Sequence, residues 1–145
     1  MLTPFARIVF VVEALTTFAT GVLCVAAPAV FVASLASDPG SPAMLELTRW
    51  YGIVLVVIAL VLAGALRSGD ETLAVVLGAM LVGDVAQVAA GLWSRVTLGG
   101  WSSVTASAVL STIPLAALRV ACLRRRTRAE RTGAKIALTG TPDIE

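Results

Sequence analysis

The chain has 145 residues, of which 58% are hydrophobic and 14% are charged, and its mean hydropathy is +0.93. Soluble domains contain about 45–50% apolar and about 25% charged residues, so this composition excludes both a soluble globular protein and an intrinsically disordered one. The sequence has no histidine and two cysteines, which excludes a histidine-ligated metal or haem, a Ser-His-Asp triad and a four-cysteine metal site. We therefore expect an integral membrane protein that holds no metal and no cofactor.

Four apolar stretches follow one another along the chain, over residues 5–27, 47–66, 72–93 and 101–122. Each has about the 20 residues that cross a hydrocarbon layer as a helix, and backbone groups in lipid must pair within their own segment. The sequence predicts an all-α bundle of four transmembrane helices over residues 1–123 and a basic, flexible tail after it, over residues 124–145. The first stretch is also typical of a signal peptide, but Glu13 inside it favours a retained helix.

The segments between the stretches are rich in turn and capping residues. We expect a turn at residues 38–42, where Ser41 and Pro42 have the pattern of an N-cap followed by the first residue of a helix. Residues 67–71 predict a tight break, with two acidic side chains at the positive start of the next helix. The glycines at 99–100 predict a flexible link before the last stretch.

The charges and aromatic residues predict an orientation. Residues 119–135 carry seven of the 11 basic side chains and one acidic side chain, which places both termini of a four-span protein in the cytoplasm. The aromatic residues at the opposite ends of the spans are typical of an interfacial belt; they are Trp50, Tyr51, Trp93 and Trp101. The arginine run predicts contact with lipid phosphates and not with nucleic acid. The abundance of Ala, Val, Leu, Gly and Arg beside a single Lys indicates a bacterial source, so we expect a multi-pass protein of the bacterial inner membrane.

Two acidic residues lie well inside the predicted spans, Glu13 in the first and Asp84 in the third. An ionisable group at such a depth costs about 2.5–3.5 kcal/mol on insertion scales, and it usually faces the interior of the bundle. Two carboxyl groups in one low-dielectric cavity resist double ionisation, so one can act as general acid and the other as general base. The leading hypothesis is therefore a membrane-embedded acid–base enzyme, an isomerase, cyclase or epoxide-opening enzyme, acting on a lipophilic small molecule.

Further polar and aromatic side chains are candidates for binding that substrate. Arg49, Trp50 and Tyr51 stand at the outer end of the second span, from which they can reach inward. Thr17 follows Glu13 by four residues and Gln87 follows Asp84 by three, so each lies on the same helix stripe as its acid. A competing interpretation of Arg49 is that its side chain extends to the interface and contacts lipid headgroups.

Two other function classes fit the same residues. The acids can pin helices together by hydrogen bonds, which predicts a non-catalytic accessory or structural subunit that binds a membrane partner or a second copy of itself. The third hypothesis is a small proton-coupled carrier, for which four spans are few unless the protein oligomerises.

The layout resembles that of small bacterial four-helix membrane proteins of the DoxX-like kind. The resemblance covers residues 5–122, and it depends on Glu13, on the run Arg49-Trp50-Tyr51-Gly52 and on Asp84. It implies a four-helix membrane bundle and carries over little about activity. A fainter likeness to membrane-embedded sterol isomerases and terpene cyclases implies catalysis by acids inside a helical bundle.

Overall fold

The computed structural model describes residues 2–35, 40–98 and 103–139. They form five helices in the order α1 (Pro4–Ala26), α2 (Pro28–Leu35), α3 (Pro42–Arg67), α4 (Asp70–Leu98) and α5 (Ser103–Thr139). No strand occurs in these ranges, so the all-α fold class is confirmed. The expected turn at residues 38–39, the glycine link at 99–100 and Trp101 lie outside the described residues.

The helix ends follow from the capping residues. The Thr3 hydroxyl accepts a hydrogen bond from the Ala6 amide at 3.2 Å, and the Ser41 hydroxyl accepts one from the Met44 amide at 3.3 Å. Each caps a helix whose first residue is a proline, since proline has no N–H to leave unsatisfied. The predicted start of the second long helix at Pro42 is confirmed, and so is the tight break between α3 and α4.

An additional short helix interrupts the segment between the first two predicted spans. α2 begins at Pro28, directly after Ala27, whose backbone at φ −139° and ψ 61° leaves the helical region. Proline disfavours the helical conformation in the residue before it, which explains why α1 ends here and a new helix starts. The sequence predicted only an outward-facing connection at this place.

Three helices are long and apolar enough to cross a membrane among the residues described. They are α1, α3 and α4, with mean hydropathies of 2.2, 2.2 and 2.0. Most of their large hydrophobic side chains are exposed, as suits helices that face lipid. These features indicate a multi-pass membrane protein. The fourth span, the orientation of the termini and the domain boundary at residue 123 stay predictions, although α5 continues as a helix through residues 124–139.

The chain divides within α4 into two compact units, an N-terminal unit of residues 2–76 and a C-terminal unit from Leu77 onward. In the N-terminal unit α1 packs closely on α3. A Cβ atom at Gly52 would lie 2.7 Å from both the Gly21 carbonyl oxygen and the Cys24 Cβ. The two backbones therefore approach as closely as glycine permits, the usual way in which transmembrane helices maximise their packing.

The C-terminal unit is built from most of α4 and from α5. Its buried side chains include Leu77 on α4 and Val109, Thr112 and Arg119 on α5. Arg119 is 1% exposed, the largest side chain this deeply buried among the described residues. A fully buried arginine needs a partner for its charge, and we expect that partner on the side of α4 that faces α5.

Candidate functional site

An ion pair between Asp84 of α4 and Arg119 of α5 is the main polar feature of the C-terminal unit. The Nη1 atom of Arg119 donates a hydrogen bond to Oδ2 of Asp84, and the two side chains are 1% and 13% exposed respectively. Asp84 stands 14 residues from either end of α4, which places it about 21 Å from each end along the helix axis. The pair is therefore enclosed at the middle of an apolar helix.

A methionine also lies beside the guanidinium group. The Nη2 atom of Arg119 lies 4.0 Å from the Met80 sulfur, a weak acceptor that suits a largely apolar site. Met80 precedes Asp84 by four residues, so the sulfur and the carboxylate lie one turn apart on the same stripe of α4. Arg119 thus reaches two successive turns of the neighbouring helix.

The sequence brings Asp84 and Arg119 together through the short connection between their helices. Asp84 lies 14 residues before the end of α4, and Arg119 lies 16 residues after the start of α5. When two helices joined by a short link run antiparallel, residues at similar distances from the link stand side by side. Gly91 and Thr112 lie 7 and 9 residues from the same helix ends, with the same offset of two residues, and are both buried, which agrees with this register.

The energetics of the pair depend on its low exposure. Two unit charges about 4 Å apart interact by about 4 kcal/mol at an effective dielectric constant of 20, while taking them out of water costs several kcal/mol per ion. The net stabilisation is therefore small, but the loss of one partner is expensive because the other buried charge then loses a counterion.

The structure brings Asp84 to an arginine that the sequence analysis did not select. Arg119 opens the basic segment, and the prediction grouped it with the cytoplasmic arginines that set the topology. Its distance from the link, 16 residues against 14 for Asp84, was the signal that could have identified it.

The other predicted site residues are distributed over both units. In the N-terminal unit, Glu13 and Thr17 are half-buried on α1, and Oε2 of Glu13 is shielded from solvent. Arg49, Trp50 and Tyr51 are exposed on α3. In the C-terminal unit Gln87 is exposed on α4. Glu13 and Asp84 belong to different units, so their shared cavity stays a prediction.

Within the N-terminal unit, the packing of α1 on α3 places Glu13 far from Arg49. A Cβ atom at Gly21 would meet Gly52 and Val56, and one at Gly52 would meet Gly21 and Val25. Residue numbers on α3 therefore increase along the contact as those on α1 decrease, so the two helices are antiparallel. Gly21 is level with residues 52–56, and Glu13 is therefore level with the region around Leu62. At 1.5 Å per residue, Glu13 and Arg49 stand roughly 20 Å apart along the helix axes. One small group cannot contact both.

An apolar groove lies between α1 and α3 in the N-terminal unit. It has a volume of about 330 Å³, and its walls are aliphatic side chains from both helices, namely Val22, Val25, Ala26, Ile53, Val56 and Val57. This volume falls at the lower end of the range of about 300–1,000 Å³ that is typical of small-molecule pockets. None of the predicted site residues lines the groove.

Metal binding has no candidate site within the described ranges. No group of three or more Cys, Asp or Glu side chains there lies close enough to hold an ion, and the sequence has no histidine.

Comparisons with known proteins give no relative from which a function could be carried over. No protein-family model, no curated protein and no solved structure matches the chain. The resemblance in layout to DoxX-like proteins stays an expectation from the sequence.

Proposed function

We propose that this chain is a non-catalytic multi-pass protein of the bacterial inner membrane, an accessory or structural subunit in which the Asp84–Arg119 pair fixes α5 against α4. The buried ion pair carries this proposal. An ionised carboxylate bound to a guanidinium group has no proton to donate as a general acid. If Asp84 accepted a proton as a general base, the carboxylate would lose the negative charge that pairs with Arg119 at a site that is 1% exposed.

This role agrees with the second hypothesis from the sequence, in which buried acidic side chains hold neighbouring helices together. Polar groups inside a helical membrane protein usually pair with one another, and a single matched pair selects one register among the many that apolar surfaces allow. The exposed apolar faces of α1, α3 and α4 are then available to lipid, to a second copy or to a membrane partner.

The experiment compares Asp84→Asn and Glu13→Gln with Glu71→Gln, which removes an exposed carboxylate from the first turn of α4. Each full-length variant is purified in mild detergent, its thermal unfolding is recorded, and it is incubated with a total bacterial lipid extract. Mass spectrometry then searches for products that depend on the protein. We expect no product from any form, and a much lower unfolding temperature for Asp84→Asn than for Glu71→Gln.

The enzyme hypothesis makes the opposite prediction. A product that the unaltered protein forms, and that both Asp84→Asn and Glu13→Gln abolish without lowering the unfolding temperature, would overturn the proposal. Unchanged stability of Asp84→Asn without any product would also overturn it, since the pair would then not fix the helices.

A further inference from the structure

A second feature, independent of the ion pair, is the position of Arg49 relative to the groove between α1 and α3. Arg49, Ile53 and Val56 follow one another at i, i+4 and i+7, so the arginine lies on the stripe of α3 that forms one wall of the groove. It stands one turn beyond Ile53, toward the start of the helix, and it is exposed. The groove thus has aliphatic walls, and an exposed arginine lies one helical turn from it along α3.

We propose that this groove is a binding site for an anionic phospholipid, with one acyl chain against the aliphatic walls and the phosphate on Arg49. The two parts match the two parts of the ligand. Six aliphatic side chains form a surface on which a hydrocarbon chain can lie, and a guanidinium group binds a phosphate through two parallel hydrogen bonds. Arginine side chains in helices extend toward the helix N-terminus and the interface, where lipid phosphates are found.

A second copy of this chain fits the groove less well. Two copies in one membrane share the same orientation, so a symmetric contact through this face would bring their two Arg49 side chains to the same depth on facing surfaces. Like charges at an interface disfavour such a contact. A lipid phosphate supplies the opposite charge instead.

The test measures lipid retention by native mass spectrometry of the full-length protein in mild detergent. Phosphatidylglycerol and phosphatidylcholine with identical acyl chains are offered separately, and glycerol phosphate is offered alone to separate lipid binding from simple anion binding. We expect about fivefold stronger retention of phosphatidylglycerol, the contribution of one arginine at an anionic membrane surface. Glycerol phosphate should not be retained.

Two pairs of variants isolate the charge and the groove. Arg49→Gln should reduce phosphatidylglycerol retention to the level of phosphatidylcholine, whereas Arg67→Gln, which removes an exposed arginine from the other end of α3, should not. Val57→Phe fills the groove and should lower retention of both lipids severalfold. Val54→Phe adds the same volume on α3 outside the groove, at a side chain of equal 53% exposure, and should have no effect.

Thermal unfolding confirms that each variant is folded, and Ala26→Leu fills the same groove from α1 if Val57→Phe does not fold. Equal retention by Val57→Phe and Val54→Phe, or by Arg49→Gln and Arg67→Gln, would overturn the proposal. The same conclusion would follow if Val57→Phe changed the proportion of dimer in the spectra and not the bound lipid. The result does not depend on the fate of the Asp84–Arg119 proposal, since the two sites share no residue.

Discussion

Breaking the Asp84–Arg119 pair should destabilise the protein far more than the loss of an exposed ion pair. Asp84→Asn keeps the size and shape of the side chain but removes the negative charge that pairs with Arg119, whose side chain is 1% exposed. Removal of one partner from a buried pair typically costs about 3–5 kcal/mol. At about 2–4 °C per kcal/mol for a chain of about this size, the unfolding temperature should fall by roughly 10 °C.

The chain contains its own control for this experiment. Arg126 and Glu130 form an ion pair of 2.6 Å on α5, with side chains that are 32% and 59% exposed. Solvent screens such a pair, and i, i+4 pairs on helices contribute about 0.3–0.5 kcal/mol. Glu130→Gln should therefore change the unfolding temperature by no more than about 2 °C.

A double-mutant cycle separates the pair from other effects of each substitution. Asp84→Asn, Arg119→Met and the double variant are unfolded by increasing fractions of sodium dodecyl sulfate, with helical circular dichroism as the readout. The double variant removes both charges of the pair, so its free energy of unfolding should exceed the value expected from adding the two single losses by about 2–3 kcal/mol. A coupling below about 0.5 kcal/mol, or a loss for Asp84→Asn no larger than for Glu130→Gln, would refute the reasoning.

Three further predictions concern the helices and their topology. Gly52→Ala should destabilise by about 1–3 kcal/mol, because its Cβ would lie 2.7 Å from the Gly21 carbonyl oxygen. Gly64→Ala, with nothing within 4 Å of the added Cβ, should be neutral or stabilising by up to about 1 kcal/mol in the same thermal unfolding assay. Ser41→Ala should cost about 1 kcal/mol of stability by removing the cap of α3, and a restored value in Ser41→Asp would attribute the loss to capping. A fluorescent protein fused to the C-terminus should fold and fluoresce in the cytoplasm if α5 crosses the membrane, whereas a periplasmic location would contradict the fourth span.

The helix ends could be predicted from the sequence because they depend on neighbouring residues. Ser41 followed by Pro42 contains the whole signal for the start of α3, and the acidic pair after Gly69 contains the signal for the start of α4. α2 was missed although Pro28 gave the same kind of signal. A helix of eight residues is too short to show a period in hydrophobicity, and the prediction followed the long apolar stretches alone.

The candidate site depends on contacts between distant parts of the chain, and here sequence reasoning was less complete. Depth alone selected Asp84, since a charge inside an apolar stretch is costly wherever its partner lies. The partner is 35 residues away, and it stands so close to the arginine run that composition assigned it to the tail. To predict whether Glu13 and Asp84 share a cavity, one must know how two separate units are arranged. Neither the hydrophobic periodicity nor the charge pattern of the sequence gives that information.

The ion pair also bears on where the membrane boundary lies. The register that pairs Asp84 with Arg119 places Arg124, the first residue of the arginine run, level with Ala79 of α4. If the run marks the cytoplasmic boundary, the hydrocarbon begins near Ala79 and not at residue 72, where the apolar stretch begins.

Cysteine labelling distinguishes these two boundaries. Val75 and Val82 lie seven residues apart on one face of α4 and are 69% and 70% exposed. In a background with Cys24 and Cys122 replaced by alanine, Val75→Cys should react with a water-soluble maleimide in inverted membrane vesicles, while Val82→Cys, about 10 Å farther along the helix, should not. Protection of both would place the boundary at the start of the apolar stretch. The arginines after Arg119 would then have to extend along α5 to reach water, and the Asp84–Arg119 register would require α5 to tilt or shift against α4.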